Sequence, residues 1–323
     1  MKKNVLILLL AACLVLPMTA ACGSNAAVSE GTSAASQDVS GDVSAAASTN
    51  VSSGDSNAST ASSSSSSTAS SSSAAVTAET TSDVIRISIP EGYTLAKICL
   101  LLESKGINSF DKLFSYATSD NFSQYSFLPA ASSTPNRCFQ LEGYLYPDTY
   151  DFFLNESPAS VWKKFLDNFE QHAVTFSAEA EAKDLTLDQA VVIASLIEKE
   201  SDAAERANVS AVIHNRLAQN MTLDIDSTYT YYHYIIEEYV KGDLTNYYNN
   251  YYTYIHKGLP AGAICNPGSS AMEAAINPSG IQSLYFFTDK SGVFVYSDTL
   301  EEHESKAIAA GVIVPTTAPT PAA

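Results

Sequence analysis

Basic residues are scarce in this chain of 323 residues: 17 Lys and Arg stand against 35 Asp and Glu, for a net charge of −18. Neutralising phosphates takes clustered Lys and Arg, so a nucleic-acid partner is excluded. Long apolar runs are missing outside the extreme N-terminus, which excludes a polytopic membrane protein. Setting aside Cys13 and Cys22 near the N-terminus leaves Cys99, Cys138 and Cys265. An odd number without CxxC spacing supports neither a disulfide framework nor a zinc site; small buried residues are the simpler account. The histidines are scattered, and Glu301-Glu302-His303-Glu304 lacks the H-E-x-x-H pair of a metalloprotease. There is no Gly-x-Ser-x-Gly elbow and no phosphate-cradling glycine loop. No metal and no cofactor are expected.

Met1-Lys2-Lys3 followed by apolar residues from Val5 to Leu16 reads as the n- and h-regions of an export signal over residues 1–22. The run falls short of the roughly 20 residues of a membrane span, and Pro17 interrupts its end. Small residues ahead of Cys22 resemble a bacterial lipoprotein processing site, with Cys22 carrying the lipid; a retained N-terminal helix and a released protein are the alternatives. Residues 23–83 are almost entirely Ser, Ala, Thr, Gly, Asn and Val with a few acids. Too few large apolar side chains are present to offset the entropy of ordering. A flexible coil of about 60 residues reaches on the order of 40–45 Å, enough to hold a domain off a membrane surface. The tail, 313–323, is rich in Pro, Thr and Ala and is read in the same way.

Val84 to Ile89 alternates like a half-buried strand. Pro90-Glu91-Gly92 then turns, and Thr94 can cap a helix through Leu95, Ile98, Leu101 and Leu102 that stops near Gly106. This strand and helix form a small module over 84–135 ahead of a main domain over 136–312. Near the C-terminus, Leu284–Phe287 and Val293–Tyr296 read as a hairpin across Asp289-Lys290-Ser291-Gly292. Helices with a few strands make the class α+β.

The segment from Thr186 to Glu200 is the most informative. Thr186 and Gln189 have the spacing of a capping box, and Asp188 sits where the helix dipole favours an acid. Apolar residues then recur at Ala190, Ile193, Ala194 and Ile197, and the same stripe continues onto Glu200. Glu198, turned by about 200° from Glu200, reads as a solvated surface acid. A carboxylate continuing an apolar stripe at a helix C-terminus is pushed toward the protonated form by burial and by the dipole, as a general acid requires. An exposed acid, or one paired with a buried Arg, is the alternative. Asp202 with Glu205 reads as the cap of a following helix carrying Val209, Val212, Ile213, Leu217 and Asn215-Arg216.

Taken in order, several strings carry a resemblance. They are Leu141 to Tyr150 (LEGYLYPDTY), Ala194 to Glu200 (ASLIEKE), Asn215-Arg216-Leu217, Met221 to Thr228 (MTLDIDST), Gly258 to Gly262 (GLPAG) and Glu302-His303. Together they resemble the YceG-like family of endolytic murein transglycosylases, from about Ile87 to His303. The resemblance implies a LysM-like leading module and a catalytic domain of mixed helices and a β-hairpin. It also implies cleavage of the β-1,4 bond between N-acetylmuramic acid and N-acetylglucosamine, leaving 1,6-anhydro ends and terminating nascent glycan strands. It makes Glu200 catalytic and Ser201 a residue that orients it, and it places Glu142, Asn215, Asp226, Thr228, Tyr231 and Tyr254 at the substrate. Implied partners are glycan strands, the extracytoplasmic membrane surface reached through a lipid on Cys22, and peptidoglycan synthases. The chain departs from the family where Tyr252 precedes Thr253-Tyr254 in place of Asn, and where Ser227 follows Asp226 in place of Pro. Two other readings stay open: a non-catalytic wall-binding lipoprotein, and a muramidase using Glu200 with Asp226. The cluster from Tyr229 to Tyr254 suits sugar stacking and a half-buried shell alike, and Gly258 to Gly262 is either a groove wall or a connector.

Overall fold

Alternation along the first strand is realised in a pairing with a distant partner. In the computed structural model, which describes residues 84–119 and 122–313, β1 (Val84–Ser88) runs antiparallel to β2 (Thr149–Phe153), with Val84 opposite Phe153 and Ser88 opposite Thr149. Ile87, Tyr150 and Phe152 turn inward. The boundary expected after residue 135 thus falls between the two strands of one sheet. The signal and Cys22, the tether, and the tail beyond 313 lie outside the described residues. No helix among the described residues is long and apolar enough to cross a membrane.

After β1 the chain enters α1 (Leu95–Ser104), capped by the Thr94 hydroxyl, which accepts from Lys97 N. It packs against α2 (Phe110–Ala117). The long α3 (Pro158–Glu181) starts with Ser157 as cap and Pro158 in its first turn. Val161, Trp162, Phe165, Leu166, Phe169, Ala173, Phe176 and Ala180 recur at helical spacing and are buried. Trp162 Nε1 donates to Leu113 O at 3.0 Å and so joins α3 to α2.

The central element is α4 (Leu187–Glu200), opened by the capping box expected at Thr186 and Gln189. Every residue from Ala190 to Ile197 is buried, each large apolar side chain contributing roughly 1.5–3 kcal/mol. Around it pack α3, α5 (Arg206–Ala218), α6 (Asp226–Tyr231) and a helix near the C-terminus described below. Asp202, expected to cap α5 directly, instead closes the preceding turn: its Oδ1 accepts from Ala204 N and Glu205 N. A π turn over Tyr232–Ile236 leads from α6 into α7 (Glu237–Tyr239), followed by α8 (Thr245–Tyr251) and α9 (Ser269–Ile276), the helix that covers α4. The hairpin forms as expected with its strands one residue later, as β3 (Tyr285–Thr288) and β4 (Phe294–Ser297), and α10 (Leu300–Ala309) packs on it. Asp289 Oδ1 accepts from Ser291 N and Val293 N to close its turn.

Because α4 is covered on all sides, Glu198 is not the solvated acid its angle on the helix implied. Its side chain is 8% exposed and pairs with Arg206 at 2.9 Å, while its other oxygen accepts from Gly268 N at 3.2 Å. Cys99 and Cys265 are buried free thiols and Cys138 is half-buried.

A second polar knot lies at the centre. Asn266 Oδ1 accepts from Gly143 N and Leu145 N, and its Nδ2 donates to Tyr93 O and Glu142 Oε1. Glu142 also accepts from Leu95 N at 2.9 Å and from the Tyr231 hydroxyl at 3.0 Å. Gly143 is required there: at φ +95° a Cβ would lie 2.6 Å from both Ala263 and Val191. Burial pushes the Glu142 carboxyl up to about 8, against the three donors that favour its charge.

Two outcomes follow for stability. Glu198→Gln, which leaves the buried Arg206 charge with only the longer 3.5 Å contact to Glu91, lowers unfolding free energy by about 1–3 kcal/mol in denaturant melts. Because the folded pKa of Glu142 lies above its ordinary 4.5, its contribution is complete at low pH and is lost as pH rises through about 8. Thermal melts across that window show a shallower decline for Glu142→Gln than for the parent.

Candidate active site

Glu200 is the last residue of α4 and is half-buried. Ser201 is extended (φ −143°) and ends the helix, its N–H and its hydroxyl both donating to Ile197 O at 3.0 and 2.9 Å. Ser201 therefore fixes the backbone from which Glu200 projects. Facing the carboxylate is the first turn of α6, where Ser227 N donates to Glu200 Oε1 at 3.4 Å. The Ser227 hydroxyl faces the same carboxylate without completing a hydrogen bond. Burial raises the Glu200 pKa, and the Asp226 charge adds to it; Ser227 and Lys199 pull the other way without cancelling the rise. The result is an acid that holds its proton above the usual carboxylate range.

Asp226, the first residue of α6, is exposed, and its Oδ1 accepts from the Tyr254 hydroxyl at 2.8 Å. From Tyr254 a line of rings leads away across the surface: Tyr252 lies 5.2 Å from Tyr254, Tyr229 5.3 Å from Tyr252, and His233 5.9 Å from Tyr229. Tyr229 and Tyr254 are both more than 40% exposed, so sugar-sized faces are presented beside the acid.

The structure divides the residues expected at the substrate. Glu200, Ser201, Asp226 and Tyr254 come together. Glu142, Tyr231 and Thr228 do not reach the surface: they are 1%, 4% and 0% exposed. Each is consumed by an internal bond. Glu142 and Tyr231 bond to each other, and the Thr228 hydroxyl donates to Ile225 O and meets the Thr253 hydroxyl at 3.2 Å. Thr253 Oγ1 in turn accepts from Ile225 N at 3.0 Å. Together they hold α6, and with it Ser227 and Asp226, against Glu200. Asn215 is also structural, donating to Ile281 O and Ser283 O ahead of β3. Arg216 is buried, pairs with Asp224 at 2.8 Å and lies over the Tyr285 ring, against which His303 also packs. Sequence reasoning missed Ser227, Thr253 and Asn266. The signal for Asn266 was a polar residue closing the apolar run Ala263-Ile264-Cys265 ahead of Pro267-Gly268.

The chain is similar to several known proteins. A protein of Bacillus subtilis named endolytic murein transglycosylase is 28% identical over 236 residues, which cover 69% of this chain and 64% of the relative. One of the same name from Streptococcus pneumoniae is 29% identical over 240 residues, covering 68% of this chain and 43% of the relative. The chain therefore spans less than two thirds of the length of these curated relatives. A crystal structure of a yceG-like protein from Listeria monocytogenes superposes with a TM-score of 0.61 at 28% identity, covering 68% of this chain and 75% of that one. The model of the YceG-like family matches residues 44–309, a span that holds Glu200, the turn of α6 that faces it and the whole knot beneath, and the chain belongs to that family.

Proposed function

We propose that the protein is an endolytic murein lyase, cutting the β-1,4 bond between N-acetylmuramic acid and N-acetylglucosamine within glycan strands. The observation that carries this reading is the half-buried Glu200, its pKa raised first by burial, beside an aromatic track. The names of the curated relatives support it.

Glu200 donates its proton to the glycosidic oxygen as the bond to the muramyl anomeric carbon breaks and positive charge develops there. The resulting carboxylate then takes the proton of the muramyl C6 hydroxyl, and O6 bonds to the anomeric carbon. The products are a 1,6-anhydromuramyl end and a free N-acetylglucosamine hydroxyl; no water is consumed, and Glu200 regains its proton. One carboxyl group suffices because the nucleophile belongs to the substrate, unlike the paired carboxylates of hydrolytic glycosidases. Ser227 N–H stabilises the carboxylate between the two steps, and Asp226 with Tyr254 holds a sugar hydroxyl.

The charged leader, apolar run and Cys22 support export and lipid anchoring at the outer face of the cell membrane, with residues 23–83 as tether. The strand and helix that open the fold would then act as a LysM-like glycan contact, and peptidoglycan synthases would be the partners such a site serves.

Glu200→Gln keeps shape and removes the proton; digestion of purified sacculi by this variant falls at least about 10²-fold while its melting temperature stays near the parent's. Anhydromuramyl ends by mass spectrometry are the expected product of the parent, and reducing ends carrying added water would replace the lyase with a muramidase. Ser227→Pro introduces the residue that the resemblance leads one to expect and deletes both the hydroxyl and the amide that lower the Glu200 pKa. With less stabilisation of the carboxylate, the Glu200 pKa rises further, so the alkaline limb of kcat/KM moves to higher pH. An unmoved limb would show that the Ser227 amide does not tune the acid.

A further inference from the structure

The aromatic track beside Glu200 divides into two platforms. Tyr252 and Tyr254, with planes within 29° of each other, stand at Asp226, to which the Tyr254 hydroxyl is bonded. Tyr229 and His233 form the second, 5.9 Å apart with planes within 3°, so their faces point the same way. Between the two platforms the planes of Tyr229 and Tyr252 tilt by 57° at 5.3 Å. Along α6 and the π turn that continues it, at about 1.5 Å per residue, Tyr229 and His233 stand roughly 5 and 10 Å from Asp226.

The second platform is held in place yet left open. Tyr229 is 45% exposed, and His233 is exposed as well. His233 Nδ1 lies 2.6 Å from Glu237 Oε2. A carboxylate brings no hydrogen, so Nδ1 donates, and the bond fixes the ring without using Nε2. Tyr234 stands at 69° to the His233 ring, 4.7 Å away, as a side wall. The π turn over Tyr232–Ile236 runs through this segment, and such wide turns recur at functional sites.

The chemistry of the rings favours a sugar over an apolar protein partner. Each ring of the track is a Tyr or a His, so each flat apolar face carries a polar edge. A pyranose has the matching form, with axial C–H groups on its face and hydroxyls around its rim. The steps of 5.2, 5.3 and 5.9 Å from ring to ring are close to the advance of one sugar along a β-1,4 strand. N-acetylglucosamine is neutral, so the net charge of −18 does not oppose it.

We propose that Tyr229 and His233 form a remote sugar subsite that makes binding, and with it cleavage, depend on strand length. A strand whose bond lies at Glu200 crosses Tyr254 and Tyr252, turns, and lays a further N-acetylglucosamine on Tyr229 and His233. Neither residue touches a reacting atom; the pair selects for length. The proposal rests on the murein reading and gives it a residue-level preference for long strands.

The test is calorimetric titration of the full chain carrying Glu200→Gln, which leaves the ligand uncut, with β-1,4 oligomers of N-acetylglucosamine from the disaccharide to the hexasaccharide. Affinity is expected to rise at least about ten-fold over that range, as added aromatic contacts imply. Tyr229→Ala removes most of the rise and leaves the disaccharide affinity and the melting temperature near the parent's, whereas Tyr229→Phe keeps the ring face and the rise. Affinity that stops growing at the disaccharide, absence of saturable binding, or an equal loss at every length in Tyr229→Ala overturns the proposal. So does a dimer in solution that Tyr229→Ala dissociates, which would give the platform to a second copy of the chain. Length-dependent binding by a protein that leaves sacculi intact removes only the lyase reading, and a protein that yields anhydromuramyl ends while binding short and long oligomers alike removes only the subsite.

Discussion

The buried pair of Glu142 and Asn266 is the constraint on which the rest of the structure depends. Between them they receive or supply every hydrogen bond that joins the start of α1, the Gly143–Leu145 turn and the end of α6. A buried carboxyl costs several kcal/mol unless it is bonded, and here three donors converge on it. Remove any one and a neighbour is stranded away from water. The knot therefore works as a register pin: α6 has one favourable seat against α4, and that seat puts Ser227 and Asp226 in front of Glu200.

Two acids two residues apart at the end of α4 meet opposite surroundings. Glu198 faces Arg206 and the Gly268 amide, a closed arrangement with no donor left over for a substrate. Glu200 faces a single backbone amide and the Asp226 carboxylate; burial raises the proton affinity of both acids, and of the two Glu198 is the one paired with a cation. The difference is not in the helix, whose propensity and length treat both alike, but in what packs on each side. Ser227 refines this balance. A proline at that position has no N–H to offer, so the serine gives Glu200 a stabilising contact that a proline cannot.

What could be read from the sequence was local. Thr94 with α1, the Thr186 capping box with α4, and the Asp289 turn of the hairpin all rest on bonds between residues a few positions apart. The resemblance named Glu200, and the apolar stripe pointed to the same residue independently. What could not be read was supplied by distant residues. Strand β1 waits some 65 positions for its partner, and the covering of Glu198 comes from Arg206 and Gly268. A helical angle gives a direction, and only tertiary packing decides whether that direction ends in water or in α9. Motif matching failed in a related way for Glu142, Thr228 and Tyr231. A string shared across a family marks residues the site needs, and it does not separate those that touch the sugar from those that hold up the ones that do.

The strong negative charge of the chain also bears on how a glycan would be recognised. Neutral sugars gain nothing from a net field, so affinity would have to come from ring faces and directed hydrogen bonds, and the rings from Tyr254 to His233 would supply the faces. Such contacts tolerate sliding along a repeating polymer, because each sugar presents much the same face as the next. The segment Tyr252 to Gly262, which carries Tyr254, is stiff. Its stiffness follows from its bonds: Thr253 is locked to Thr228 and Ile225, Lys257 to Thr222, and Ala261 to Asn250. A loop pinned at these points keeps Tyr254 against Asp226, the residue next to the Ser227 amide that meets Glu200.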